Sequence, residues 1–143
     1  MASSGEHPYR HRLRVRYAEC DPQGVVFHGH FFLYFDVAMT EFHRATMGRY
    51  SELGEDGVDM VIAEARARYY GPARFDEELE IEVTVKRIGN TSLTNGFVVS
   101  NQERILVSGE VRYVFVDIET KKKQPIPMVV REALDRYVKH VQG

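Results

Sequence analysis

The chain has a single cysteine among its 143 residues. Cys20 therefore has no internal partner for a disulfide, which fits a reducing cytosol. No run of about 18 apolar residues is present, so no membrane-spanning helix is expected. The opening stretch MASSGEHPYRHRLRVRY has no apolar segment of the kind a secretory signal needs. Charge of one sign is also missing. The 19 Lys and Arg against 21 Asp and Glu give a net charge of −2, which argues against general nucleic-acid binding. Internal repeats, linkers and low-complexity tracts are absent. What remains is ordinary globular material, with 43% hydrophobic and 28% charged residues. A chain of this mass buries roughly two thirds of its unfolded surface. The expectation is one soluble cytoplasmic domain over residues 11–143, preceded by a flexible polar arm at 1–10.

Along the chain, RLRVRYA alternates, with Leu13, Val15 and Tyr17 on one face and arginines on the other, and predicts a short strand over 12–18. A turn-rich stretch follows, marked by Asp21-Pro22 and Gly24. Residues 31–47, free of proline and glycine, read as a helix. Asp36, Thr40, His43 and Arg44 gather in one narrow polar stripe, and apolar residues cover most of the rest. Such a helix is expected to be buried and wrapped by a sheet. Glu41 falls outside the stripe and reads as a structural acid bonded to tyrosine or backbone. Residues 49–59 read as a loop. Four strands are expected at about 58–70, 77–89, 92–102 and 104–117. The first offers a small face of Ala63, Ala65 and Ala67 to a helix, and Gly109 in the last suggests a bulge. A second helix is expected over 128–141. The order gives an α+β fold, a curved antiparallel sheet of about five strands around one long helix. Its open edge strands favour a closed assembly of copies.

Chemistry concentrates between the first strand and the helix, where Tyr17, Cys20, Asp21, Gln23, His28 and His30 crowd together. The helix N-terminus beside them offers free N–H groups and the positive dipole end, able to hold a developing oxyanion. Asp21 could act as general base or as carboxylate nucleophile; equally, Asp-Pro is a common turn initiator. His28-x-His30 with Asp21 nearby invites a metal, but a third firm ligand is not evident and no cofactor is expected.

The segment RVRYAECDPQGVVFHGHFFLYFDVAMTEF resembles the opening of hotdog-fold acyl-CoA thioesterases, the group around 4-hydroxybenzoyl-CoA thioesterase. Its pattern is matched by Tyr17, Asp21, Gly24-Val25-Val26-Phe27-His28 and Ala38…Glu41, and the later strand rhythm extends the likeness over about residues 12–138. The resemblance implies a hotdog fold and hydrolysis of an acyl-CoA to acid and CoA. Asp21 would be the catalytic carboxylate, the His28 N–H would bind the thioester oxygen, and Tyr17 and the His28 side chain would assist. Phe27 and Gly29 would contact substrate. The family's basic hairpin is replaced by GNTSL (89–93), leaving Lys86 and Arg87, or Lys121 to Lys123, as candidates for the CoA phosphates. Cys20 stands where Thr or Ser is usual, and an adjacent carboxylate disfavours its thiolate. A homodimer or homotetramer is implied. The alternatives are a non-catalytic acyl-CoA binding module on the same fold and, from the likeness of Gly29-His30-Phe31 to hotdog dehydratases, a dehydratase.

Overall fold

The computed structural model describes residues 9–48 and 57–142, without the side chains beyond position 138. These residues form one five-stranded sheet and two helices. The elements are β1 (Tyr9–Arg14), α1 (His30–Met47), β2 (Val58–Tyr69), β3 (Glu78–Ile88), β4 (Ser92–Ser100), β5 (Ile105–Asp117) and α2 (Met128–Gln142), with a 3₁₀ turn at Tyr17–Glu19. Strand order is β1-β3-β4-β5-β2 and every pairing is antiparallel. The two hairpins β3–β4 and β4–β5 use short turns, whereas β2 must cross to the far side of β5, which leaves β1 and β2 as edges.

Alternation creates the two faces. Leu79, Ile81 and Val83 of β3, Leu93, Phe97 and Val99 of β4, and Val107, Val111 and Phe115 of β5 point to one side and are buried. On that side lies α1, which packs on β3, β1 and α2 and touches β2 only lightly. Phe35 of α1 stacks on Phe97 at 4.7 Å between ring centroids. Gly109 makes this approach possible. A Cβ there would stand 2.6 Å from the Phe35 ring and 2.6 Å from the Arg66 carbonyl.

Several sequence expectations are corrected. The first strand covers 9–14 rather than 12–18, so Tyr9 and Arg10 belong to the sheet and not to an arm; residues 1–8 lie outside the described residues, as do 49–56 of the expected loop. Leu13 and Val15 do face the core, but Glu19 bends the chain into the 3₁₀ turn by accepting from the Arg16 amide at 2.9 Å, and Tyr17 swings out to 79% exposure. Gly109 makes no bulge. The register shifts fall at Ile62/Glu64, Val85/Arg87 and Val99/Ser100. The polar stripe of α1 is wider and differently placed. His43 is fully buried, while Leu33 and Val37 are exposed, because the sheet and α2 cover only one side of the helix. Glu41 pairs with Arg44, one turn along, instead of with tyrosine or backbone. Ala63 and Ala65 stay open to solvent, since α1 touches β2 only lightly, with a ring contact at Tyr69.

Candidate active site

The loop from Val15 to Gly29 is a small hairpin set against the segment that leads into β3. The Asp21 amide donates to the Val25 carbonyl at 2.8 Å and the Phe27 amide to the Glu19 carbonyl at 3.1 Å. At the tip, Asp21-Pro22-Gln23-Gly24 forms a tight turn. The Gly24 amide donates to the Asp21 carbonyl at 2.9 Å, and Gly24 has φ +80°, a conformation that disfavours any side chain. The outer flank is tied down by donation from Val26 N–H to the Ala73 carbonyl and from Phe75 N–H to the Gly24 carbonyl.

The Asp21 carboxylate is fixed within this turn. Its Oδ1 accepts from the Gln23 amide at 2.8 Å and the Val25 amide at 3.4 Å. Its Oδ2 meets no donor among the described residues, and the side chain is half-exposed. The turn-initiator role and an available carboxylate oxygen therefore coexist in one residue.

Downstream, the hairpin runs directly into α1. Gly29 is the N-cap, and a Cβ on it would press the Phe27 ring at 3.0 Å. The amides of His30, Phe31 and Phe32 donate to the carbonyls of Phe27, His28 and Gly29. Those of His28 and Gly29 have no acceptor among the described residues, so two donors stand open at the positive end of the helix. The His28 ring lies against Phe27, 4.4 Å between centroids, and edge-on to Tyr69; the Tyr69 hydroxyl donates to the His28 carbonyl at 2.9 Å. Tyr17 makes an edge contact with Phe75. Around the turn and the helix start, Tyr17, Phe27, Tyr69 and Phe75 are exposed aromatic side chains, whereas the Tyr70 hydroxyl bonds Ser108 of β5.

The two histidines diverge. His28 joins these exposed rings, and the His30 ring turns toward Glu19, with Nε2 3.7 Å from Oε2. Among the described residues no group of three or more histidine, cysteine, aspartate or glutamate side chains is placed to hold a metal ion. Burial and the neighbouring Asp21 and Glu19 carboxylates push the Cys20 thiol up, so it is a poor nucleophile.

Tyr17, Asp21, Phe27, His28 and Gly29 are thus gathered on one loop and one helix start. Lys86 and Arg87 are not. Lys86 lies at the register shift of β3, between Val85 and Arg87, on the convex face, roughly 25 Å of strand beyond the end that faces the loop. Lys86 there lines a cleft of about 450 Å³ with Arg66, Arg68 and Thr84 over Gly96. Lys121 to Lys123 are exposed on the turn after β5.

One residue of the site escaped the sequence reading. Glu19 is 6% exposed and accepts from the Arg16 amide, from Arg16 Nε at 2.8 Å and from the Tyr34 hydroxyl at 2.8 Å. Burial raises its carboxyl, but these donors and the guanidinium charge outweigh it and hold the group below the usual carboxylate range. The available signal was Glu19 two positions before Asp21. Two carboxylates so close on a tight turn are repulsive unless one is paired.

Comparison with known proteins places the chain in a family. Residues 15–134 match the family model described as the thioesterase-like superfamily. The acyl-CoA thioester hydrolase YbgC of Escherichia coli O6:H1 is 32% identical over 120 residues, covering 83% of this chain and 90% of its own. The crystal structure of a hypothetical protein from Aquifex aeolicus superposes with a TM-score of 0.84 at 28% identity, covering 89% of this chain and 99% of that one. A 1,4-dihydroxy-2-naphthoyl-CoA thioesterase from Synechocystis shares the fold, with a TM-score of 0.82 at 18% identity over 89% of this chain and 95% of that one. The chain belongs to the thioesterase-like superfamily and has the architecture of its hotdog-fold thioester hydrolases.

Proposed function

We propose that the protein hydrolyses an acyl-CoA thioester with Asp21 as general base or nucleophile and the amide of His28 as oxyanion donor. The observation that carries this reading is the continuity of one hydrogen-bonded segment. A carboxylate anchored through Oδ1, with Oδ2 available, sits on a turn whose downstream strand ends in open N–H groups at the start of α1. Net hydrolysis adds the hydroxyl of water to the acyl carbon, breaks the C–S bond and returns a proton to the CoA sulfur. Thiolate is a good leaving group, so the demand on the protein is an activated oxygen and a donor for the carbonyl oxygen. Asp21 supplies the first, either by taking a proton from water or by attacking to form an anhydride that water opens. Tyr17 and the His28 ring position the thioester, and Phe27 and Gly29 form its immediate wall.

The working unit is a closed pair of copies, joined through β2, with a dimer of such pairs as the larger form. Supporting this is the outer edge of β2, where Val61, Ile62 and Tyr69 are exposed along with Ala65. Lys86 and Arg87 then serve the nucleotide end of a substrate held between protomers. The assignment is to a cytoplasmic enzyme; among the described residues no helix is long and apolar enough to cross a membrane.

The test is hydrolysis of acetyl-, hexanoyl-, palmitoyl-, benzoyl- and phenylacetyl-CoA, followed by chromatography, which reads the released acid and CoA directly. Asp21→Asn, still folded, is expected to lose about 10²-fold or more, as removal of a base or nucleophile does. Hydrolysis that survives this substitution moves the catalyst away from Asp21. Esters bound but left intact by the wild type indicate a binding module instead.

A further inference from the structure

The distance from Asp21 to the helix amides is set by a loop that sends Val26 and part of Cys20 into the core but leaves the Asp21 side chain half-exposed, so a side-chain tie between loop and helix would fix it further. Glu19 is in the right place. Its backbone closes the hairpin, accepting from the Phe27 amide at 3.1 Å, and it lies two residues before Asp21 and one position across from His28. Its side chain points the other way, into the protein, where Oε1 accepts from the Arg16 amide and the Tyr34 hydroxyl and Oε2 from Arg16 Nε. His30, the first residue of α1, brings Nε2 to 3.7 Å of Oε2, and its ring packs edge-on against Tyr34 at 5.1 Å.

We propose that Glu19 is the positioning residue of this site, its buried carboxylate clamping the loop that carries Asp21 to the first two turns of α1 through the Tyr34 hydroxyl, with the His30 ring packed alongside. The clamp adds a polar tie among three parts of the chain that already share the core through Val15, Val26 and Phe31: the exit of β1 at Arg16, the hairpin, and the helix start. A carboxylate suits the task because it accepts several donors at once, and bonds from charged or buried groups to an ion are the stronger kind. The Arg16 side chain is 80% exposed, so the surface ion pair adds little by itself; the buried hydroxyl and amide contacts carry the clamp. The side chains also line a groove of about 530 Å³ along α1, between Leu13, Arg16, Leu33 and Val37, which leaves the ring of His30 partly accessible without opening the carboxylate.

The catalytic half of the test rests on the thioester-hydrolase reading, and the other half does not. Glu19→Gln keeps the shape but turns an amide NH₂ toward one of the donors. Folded Glu19→Gln is expected to lower kcat about tenfold while KM stays within about twofold, since misplacement of a reacting group acts on the transition state. Amide exchange read by mass spectrometry is expected to quicken about tenfold at residues 20–29, as loss of a charge-assisted bond requires, with β4 unchanged. Glu19→Asp should recover part of the exchange protection. Tyr34→Phe, which removes one donor and keeps the ring, should show the same pattern more weakly and serves if Glu19→Gln does not fold. Exchange that quickens equally in β4 and the loop, or does not change in the loop, overturns the proposal and leaves Glu19 as an ordinary structural acid. If the wild type hydrolyses none of the thioesters, the functional reading fails, and the exchange pattern alone decides the clamp.

Discussion

The two edges of the sheet are built on opposite principles. Along β1, arginines at 10, 12 and 14 face outward against Glu80, Glu82 and Asp76, with separations of 3.4 to 3.7 Å. The strand is short, six residues, and its start is pinned from the other side, because the Tyr137 hydroxyl of α2 accepts from the Tyr9 amide at 2.8 Å and donates to the Val83 carbonyl at 3.0 Å. Short length, alternating charge and a covering helix are how an edge is kept from pairing with another chain. On the opposite side, β2 runs for twelve residues with Val61, Ile62 and Tyr69 between 43% and 51% exposed, and α1 hardly touches it. The contrast shows that α1 reaches across β4 and β5 through Phe35 but meets β2 only lightly, at Tyr69, so most of the β2 edge lies beyond the helix. Among the described residues nothing covers the outer edge of β2, and this is the observation behind the proposed pairing with a second copy of the same edge.

Breaking the open edge should have the largest effect. Val61→Lys with Ile62→Lys places two cations where the proposed pair of copies meets, and on a symmetric interface each charge faces its own image. Light scattering should show the assembly replaced by single chains. Thioester hydrolysis should fall about 10²-fold, equivalent to roughly 2.7 kcal/mol of barrier. An unchanged mass would mean that β2 is simply a solvent-exposed edge.

This contrast was only half legible in the sequence. The strands after residue 58 announce themselves by strict alternation, Leu79-Glu80-Ile81-Glu82 most clearly, and α1 by the lack of proline and glycine, so the fold class follows from local pattern. The alanine face of β2 was equally visible, but its meaning was not. Small residues invite a helix, and whether one arrives depends on where the helix docks, a tertiary fact. His43 failed for a related reason. Helical periodicity groups it with Asp36, Thr40 and Arg44, and only the position of α2 alongside α1 turns it inward. At the site, Asp21, Gly24 and His28 were readable because turn and helix-start chemistry is local. Glu19 was not, because its value lies in Tyr34, fifteen residues away.

His43 sharpens the comparison with a pH dependence confined to the helix-covered half. Burial pushes its imidazole down from 6.5 to about 4. The folded protein therefore resists protonation that the unfolded chain accepts. Stability is full above about pH 6.5 and declines as pH falls toward 4, where the loss reaches about 3 kcal/mol. Denaturant midpoints measured across that window should show the decline in wild type and a flatter profile in His43→Leu. If the two profiles run parallel, the acid sensitivity arises elsewhere; the depressed Glu19 carboxyl contributes stability that is lost as pH falls from the ordinary carboxylate value toward its lowered folded one.

The smallest effect belongs to the guarded edge. Arg12 is 71% exposed at its side chain and stands 3.5 Å from a Glu80 oxygen, so its ion pair is weak and screened by salt. Arg12→Ala should change stability by no more than about 0.5 kcal/mol, and light scattering at low salt should find the same assembly as in wild type. The near-null result carries information, because Arg10 still faces both Glu80 and Glu82 and the Tyr137 hydroxyl still holds the start of the strand. If removing this one charge instead drove chains together, the guarding of β1 would be electrostatic, and α2 would contribute less to it than its hydrogen bonds imply. A result within 0.5 kcal/mol and an unchanged mass would assign the closed edge to the buried tyrosine bridge and the open edge to its absence.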